Sequence, residues 1–305
     1  MTFMDFALLL GRRLSRNLFV PLMARTSLRR LQPYEITTVE TIKNVLRVNK
    51  SEAMTIYRRG AQSIAGLRFD FFFMSRFNQR TLQKDLDLVQ VFGAERLPDL
   101  LASDSPVLII TMHMGNFPLG FLKLVSSVEG KRKFFVFKAN QKNNNEDSLF
   151  TLFRQQSLEI EALYAGEDGG KKAYQELRKG NVVIMMVDFE VYVTSMANVT
   201  FFDQICQMQA GPATLAVLSK AVIVPIVNFK NTSGQATIKV ESPLYTKKIS
   251  LDETNQQVIV RLTQEIASLQ ESWIRIAPSQ VQSWIGIART IRRINSDSKV
   301  KILNP

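Results

Sequence analysis

Four short runs, "VLIIT" (107–111), "FFVFK" (134–138), "VVIMMV" (182–187) and "VIVPIVNF" (222–229), are almost wholly apolar and rich in Val, Ile and Phe. A strand wetted on one face alternates polar with apolar residues, so runs of this kind belong to strands covered on both faces. Between them, "EDSLFTLFRQQ", "GKKAYQELRKG" and "GPATLAVLSK" carry apolar residues at helical spacing. Strands alternating with helices in this order imply an α/β fold: a largely parallel central sheet flanked by helices. "QATIKVESPLY" adds a later strand, and "NQQVIVRLTQEIASLQESWIRIA" reads as a long closing helix. The text from about residue 35 to 102 is helical in character, so the sheet carries a helical N-terminal segment.

The organisation follows from these patterns. Residues 1–34 form a basic amphipathic segment, residues 35–293 a single α/β domain, and residues 294–305 a loosely ordered polar tail. The first thirty residues hold six arginines and one aspartate but no apolar stretch near the ~20 residues of a spanning helix. Phe3, Phe6, Leu9, Leu10, Leu18, Phe19, Leu22 and Met23 could enter a bilayer interface while Arg12, Arg13 and Arg16 meet lipid phosphates. The same segment could equally pack on the protein's own core. A formal net charge of +12 favours anionic partners, whether lipid headgroups or an acidic carrier protein. Nucleic acid is not expected, because no zinc spacing, ribonucleoprotein motif or helix-turn-helix accompanies the charge. The one cysteine, Cys206, excludes an internal disulfide, and one histidine with one cysteine excludes a metal site.

That one histidine, His113, stands in "PVLIITMHMGNFPLG", just past the first apolar run and before the helix "FPLGFLKLVSS". Strand-to-helix junctions at the carboxyl edge of a sheet are where α/β proteins gather ligands. An imidazole there can act as a general base, and the first N–H groups of the helix can stabilise an oxyanion.

The stretch "VFGAERLPDLLASDSPVLIITMHMGNF" resembles the opening of the catalytic region in the lysophospholipid acyltransferase superfamily, closest to the bacterial lipid A biosynthesis acyltransferases. The likeness continues through "IKNVLRV", "FFVFKANQKN", "LFRQQ", "LRKGNVVIMMVDFE", "VTFFDQICQMQAGPATLAVLSKAVIVPI" and "LQESWIRIAPSQVQSWIGIARTIRR", in order, over residues 40 to 293. The resemblance implies a transferase of lipid biosynthesis: an acyl thioester on acyl carrier protein or coenzyme A gives its acyl group to a hydroxyl of a lipid A precursor or related lipid. It implies no cofactor beyond that co-substrate, and a peripheral or monotopic place at the cytoplasmic face of the bacterial inner membrane.

By the same resemblance His113 is the catalytic base, and Asn116, Lys138, Asn140, Arg154 and Gly211 are substrate-binding positions. Lys131, Arg132, Lys133 and Arg178 are expected to add positive charge around the cleft. The family motif places an acid five residues after the histidine, whereas this chain has Pro118 there. Asp188, at the end of "VVIMMV", and Glu190 are the candidate replacements, of which only Asp188 matches a family position. Further departures are Phe189 after that aspartate, Asp203 in place of a glycine, and "WIGIAR" without its histidine. The alternative is a catalytically inactive, membrane-associated homologue that binds lipid or a partner enzyme.

Overall fold

The computed structural model describes residues 12–74, 79–102, 105–126, 132–138, 160–166, 168–188, 195–292 and 301–303. In chain order the strands are β1 (Gln90–Phe92), β2 (Val107–Thr111), β3 (Phe134–Lys138), β4 (Ile160–Tyr164), β5 (Val182–Met186), β6 (Ser195–Phe201) and β7 (Gln204–Gln209). They continue with β8 (Val222–Lys230), β9 (Ala236–Val240) and β10 (Lys301–Leu303). Seven of them make one sheet in the spatial order β1-β9-β8-β2-β5-β3-β4. Neighbours run parallel except β8 against β9. This is the parallel α/β sheet that the apolar runs implied.

The helices are α1 (Arg12–Leu31), α2 (Glu35–Leu46), α3 (Lys50–Met74), α4 (Gln79–Asp87), α5 (Leu97–Ala102) and α6 (Phe117–Ser126). After β4 come α7 (Gly169–Arg178), α8 (Gly211–Ser219), α9 (Asn255–Ile276) and α10 (Trp284–Arg292). Alternate residues of β2 feed two separate cores. Val107 and Ile109 pack with Leu119, Phe121 and Leu122 of α6 and Leu82 and Leu86 of α4. Leu108 and Ile110 pack with Ala213 and Ala216 of α8 and Leu262 and Ile266 of α9. All five residues of β2 are buried, and each large aliphatic side chain so placed contributes about 2 kcal/mol. A strand carrying so much apolar surface on both faces is fixed at the centre of the sheet.

β6 and β7 form an antiparallel hairpin over the α8–α9 face, with Ala197, Val199, Phe201, Cys206 and Met208 turned into that core. Its turn is made by Phe202 and Asp203, both left-handed at φ 51° and 61°. Aspartate tolerates this conformation, which explains how Asp203 serves where a glycine was expected. α9 secures the hairpin from the side: Gln264 bonds both the N–H and the carbonyl of Thr200, and Glu271 accepts the N–H of Phe202. A reciprocal Thr254–Gln257 box closes the N-terminus of α9.

The N-terminal helix differs in part from the lipid-facing expectation. Phe19 turns inward to pack with Phe69 of α3, and Arg16 pairs with the buried carboxylate of Asp70 while also reaching the Gly66 carbonyl. Burying the aromatic ring and neutralising a buried acid both favour that inward face. Leu14, Leu18 and Leu22 remain half exposed on the other face. Residues 1–11 lie outside the described residues, as does the expected helix "EDSLFTLFRQQ". At the far end, β10 runs parallel beside Ser195–Ala197 of the hairpin, and the rest of the tail lies outside the described residues.

Candidate active site

β2 and β5 are adjacent and parallel, with Thr111 opposite Met186 as the last paired position. The Val187 N–H still bonds the Thr111 carbonyl at 2.8 Å, so the register carries on. Two residues further along each chain stand His113 and Asp188. From β2 the chain enters α6 on one face of the sheet, whereas beyond β5 it reaches the β6–β7 hairpin on the other. The crevice opened by such a parting of connections is the customary ligand site of an open α/β sheet.

His113 Nδ1 and Asp188 Oδ1 are 2.8 Å apart. The other carboxylate oxygen accepts the backbone N–H of His113 at 3.0 Å and the hydroxyl of Ser283 at 2.6 Å. The aspartate side chain is fully buried, while the imidazole keeps 23% of its surface exposed. Burial pushes the Asp188 carboxyl upward, but the His113 charge and the three hydrogen bonds outweigh it and hold the group below its ordinary range. An ionised carboxylate can only accept, so Nδ1 carries the proton and the ring's basic lone pair lies on Nε2.

The ring is steadied from its other side by Phe117, edge-on at 5.1 Å between centroids. Phe71 of α3 and Phe121 of α6 hold Phe117 in turn, at 6.3 Å and 5.8 Å. Behind the histidine, Gln282 donates its backbone N–H to the His113 carbonyl and its side-chain amide to the Gly115 carbonyl. The Gly115 N–H goes to the Gln280 carbonyl, and the Gln280 amide brackets Lys230 at the end of β8 through two bonds of 2.7 Å.

The expected site residues fall into three groups. His113 and Asp188 meet. Asn116 serves α6 as its N-cap, accepting the Leu119 N–H at 3.3 Å, and Lys138 ends β3 on the same edge of the sheet with its ammonium over the Tyr164 ring. Gly211 opens α8, whose buried Ala213, Leu215 and Ala216 join the core on the opposite face from α6. Asn140 and Arg154 lie outside the described residues. Arg132 and Lys133 immediately precede β3, and Arg178 ends α7 just before β5, which places all three at the opposite edge from His113. Parallel strands put their starts at that edge, so these charges do not surround the crevice. Lys131 lies outside the described residues.

The oxyanion expectation also narrows. Pro118 has no N–H, and those of Leu119 and Gly120 are taken by Asn116. The amides of Asn116 and Phe117 remain as first-turn donors. Burial and Glu271 push the Cys206 thiol up to about 11, so it holds no nucleophilic thiolate at neutral pH.

Pro118 itself is buried in the first turn of α6. Pro118→Glu should therefore lower stability by roughly 3 kcal/mol without raising turnover, because it buries a carboxylate whose place at Nδ1 is filled. Urea midpoints and initial rates together check this, and a gain in rate would show that Asp188 is not the working acid.

Sequence reasoning missed Ser283 and the two glutamines. Their only signal was position within "IRIAPSQVQSWIGIAR", a stretch whose tryptophan indole is tied to the Pro278 carbonyl at 2.9 Å. A buried carboxylate that orients an accessible imidazole is the arrangement of an enzyme in which histidine takes a proton directly from an acceptor. The chain belongs to the bacterial lipid A biosynthesis acyltransferase family, whose model matches residues 42–287. It is similar to the phosphatidylinositol mannoside acyltransferase of Mycobacterium tuberculosis strain CDC 1551 / Oshkosh, 24% identical over 237 residues, which is 75% of this chain and 70% of the relative. Against the same protein of strain ATCC 25618 / H37Rv it is 25% identical over 235 residues, with the same coverage. Family and relatives together support a lipid acyltransferase.

Proposed function

We propose that the chain moves a fatty acyl group from an acyl thioester, on acyl carrier protein or coenzyme A, to a hydroxyl of an anionic glycolipid. The acceptor class takes in lipid A precursors and, from the relatives' names, mannosylated phosphatidylinositol. The observation that carries this reading is the 2.8 Å contact between His113 and Asp188 at the crevice. His113 Nε2 takes the hydroxyl proton as the oxygen attacks the thioester carbon, and Asp188 stabilises the imidazolium that forms. The departing thiolate then receives that proton. The inactive-homologue reading drew on Pro118 and on the further departures from the motif; with Asp188 in hydrogen-bond contact, the imidazole has its acid without position 118.

A lipid acceptor calls for a membrane surface, which we place at the cytoplasmic face of the inner membrane. Among the described residues no helix is long and apolar enough to cross a bilayer. On α1, however, Leu14, Leu18 and Leu22 form an exposed ridge at four-residue spacing, followed by exposed Arg25 and Arg29. Apolar side chains beside arginines on one helix face suit an anionic lipid interface.

Purified protein given acyl coenzyme A or acyl carrier protein with these acceptors should form an acylated lipid detectable by mass spectrometry. His113→Ala should reduce the rate at least 1,000-fold, about the loss expected on removing the general base of such a pair. Turnover that survives this substitution unchanged would overturn the reading.

A further inference from the structure

His113 has a neighbour on each side. β8 flanks β2 opposite β5, with Ile110 across from Pro225. The pairing ends there, and the same register carried three residues on sets Asn228 level with His113, as it sets Asp188 on β5. Val224 and Ile226 share their face of the sheet with Ile109 and α6, so Asn228 follows them toward α6. Its side chain is 2% exposed, and among the described residues neither its carbonyl oxygen nor its amide nitrogen has a hydrogen-bond partner. The Thr111 hydroxyl, on the same face and one step below His113, is also buried and unpartnered.

Two glycines make room for this residue. A Cβ on Gly115 would lie 2.8 Å from the Asn228 carbonyl oxygen, and a Cβ on Gly120 would lie 1.7 Å from its side-chain oxygen. A buried amide with no partner opposes folding, and leucine or valine would fill β8 without that penalty. Its place beside the catalytic imidazole gives it a use.

We propose that Asn228 is a catalytic residue whose amide N–H binds the thioester carbonyl oxygen as negative charge develops there. This rests on the acyl-transfer reading. As the acceptor oxygen bonds to the acyl carbon, its proton passes to His113 Nε2 and the carbonyl π pair moves onto the oxygen facing Asn228. The pair then returns, the C–S bond breaks, and the thiolate takes the proton from His113. Dry surroundings strengthen such a donor.

The test exploits the missing partner. Asn228→Ala should leave the melting temperature unchanged or raise it, because no hydrogen bond is lost, yet lower kcat roughly 100-fold with KM within threefold. Asn228→Ser, which restores a donor, should recover part of that loss. A ketone analogue of lauroyl coenzyme A, with CH2 in place of sulfur, should bind Asn228→Ala at least tenfold more weakly than wild type by calorimetry. A fall in melting temperature with kcat tracking the folded fraction would make Asn228 structural and overturn the proposal, as would equal analogue binding by both proteins. Wild type that neither binds the analogue nor turns over would instead sink the thioester reading itself, and this proposal with it.

Discussion

Asp188→Asn should lower turnover by roughly 1,000- to 10,000-fold while KM stays near its original value. The amide can still accept the Ser283 hydroxyl through its oxygen, so the substitution keeps the shape of the site. What it changes is the ring. An amide N–H facing Nδ1 demands a lone pair there, which moves the imidazole proton to Nε2 and removes the base. A rate measurement at saturating acceptor separates this from weakened binding. The same variant has a signature without substrate. In wild type the Asp188 carboxyl is held below its ordinary value, so the stability it contributes is present above about pH 4 and lost as pH falls through the depressed value. Unfolding free energies followed downward from pH 5 should therefore fall less steeply in Asp188→Asn. Equal acid slopes would mean that the carboxylate is not stabilised by its neighbours.

Gly115→Ala is expected to cost about 3 kcal/mol, read as a lowered urea midpoint with an unchanged slope. Gly115 sits at φ 57°, where a side chain is strained, and its missing Cβ faces backbone atoms of Asn228 and Phe229 at 2.8 Å. Backbone cannot step aside as a side chain tip would. The strain lands two residues from His113, in the turn whose N–H and carbonyl are both gripped by the 280–282 segment, so activity should fall further than stability alone accounts for. A variant with wild-type stability would show that this turn has slack.

What could be read from the text depended on how much of each signal was local. β2, β3, β5 and β8 declared themselves through apolar runs and β9 as a later strand, while α6 to α9 were legible as helices. β4 did not, because "IEALY" lies at the sheet edge and buries only part of its length. The β6–β7 hairpin was also missed: "SMANVTFFDQICQMQ" mixes polar with apolar residues and turns at Phe202–Asp203, without the Asn-Gly or Gly-Gly pair that marks a tight turn. His113 and Asp188 were legible as residues of chemical use at strand ends. Their contact was not, since it needs the order of strands in the sheet, which no single strand encodes. Ser283 and Asn228 carried still less signal. A serine before a tryptophan and an asparagine in an apolar run acquire meaning only when chain 95 and 115 residues away from Asp188 and His113 folds back onto them.

That distance bears on how the protein is made. The imidazole of His113 is synthesised 170 residues ahead of the Ser283 hydroxyl that steadies its partner acid. Domains of this size tend to acquire structure during synthesis, from the first residues onward. A nascent chain stalled before residue 283 would carry both members of the pair with their backing segment missing, so a premature stop codon there should yield an inert product rather than a weakened enzyme.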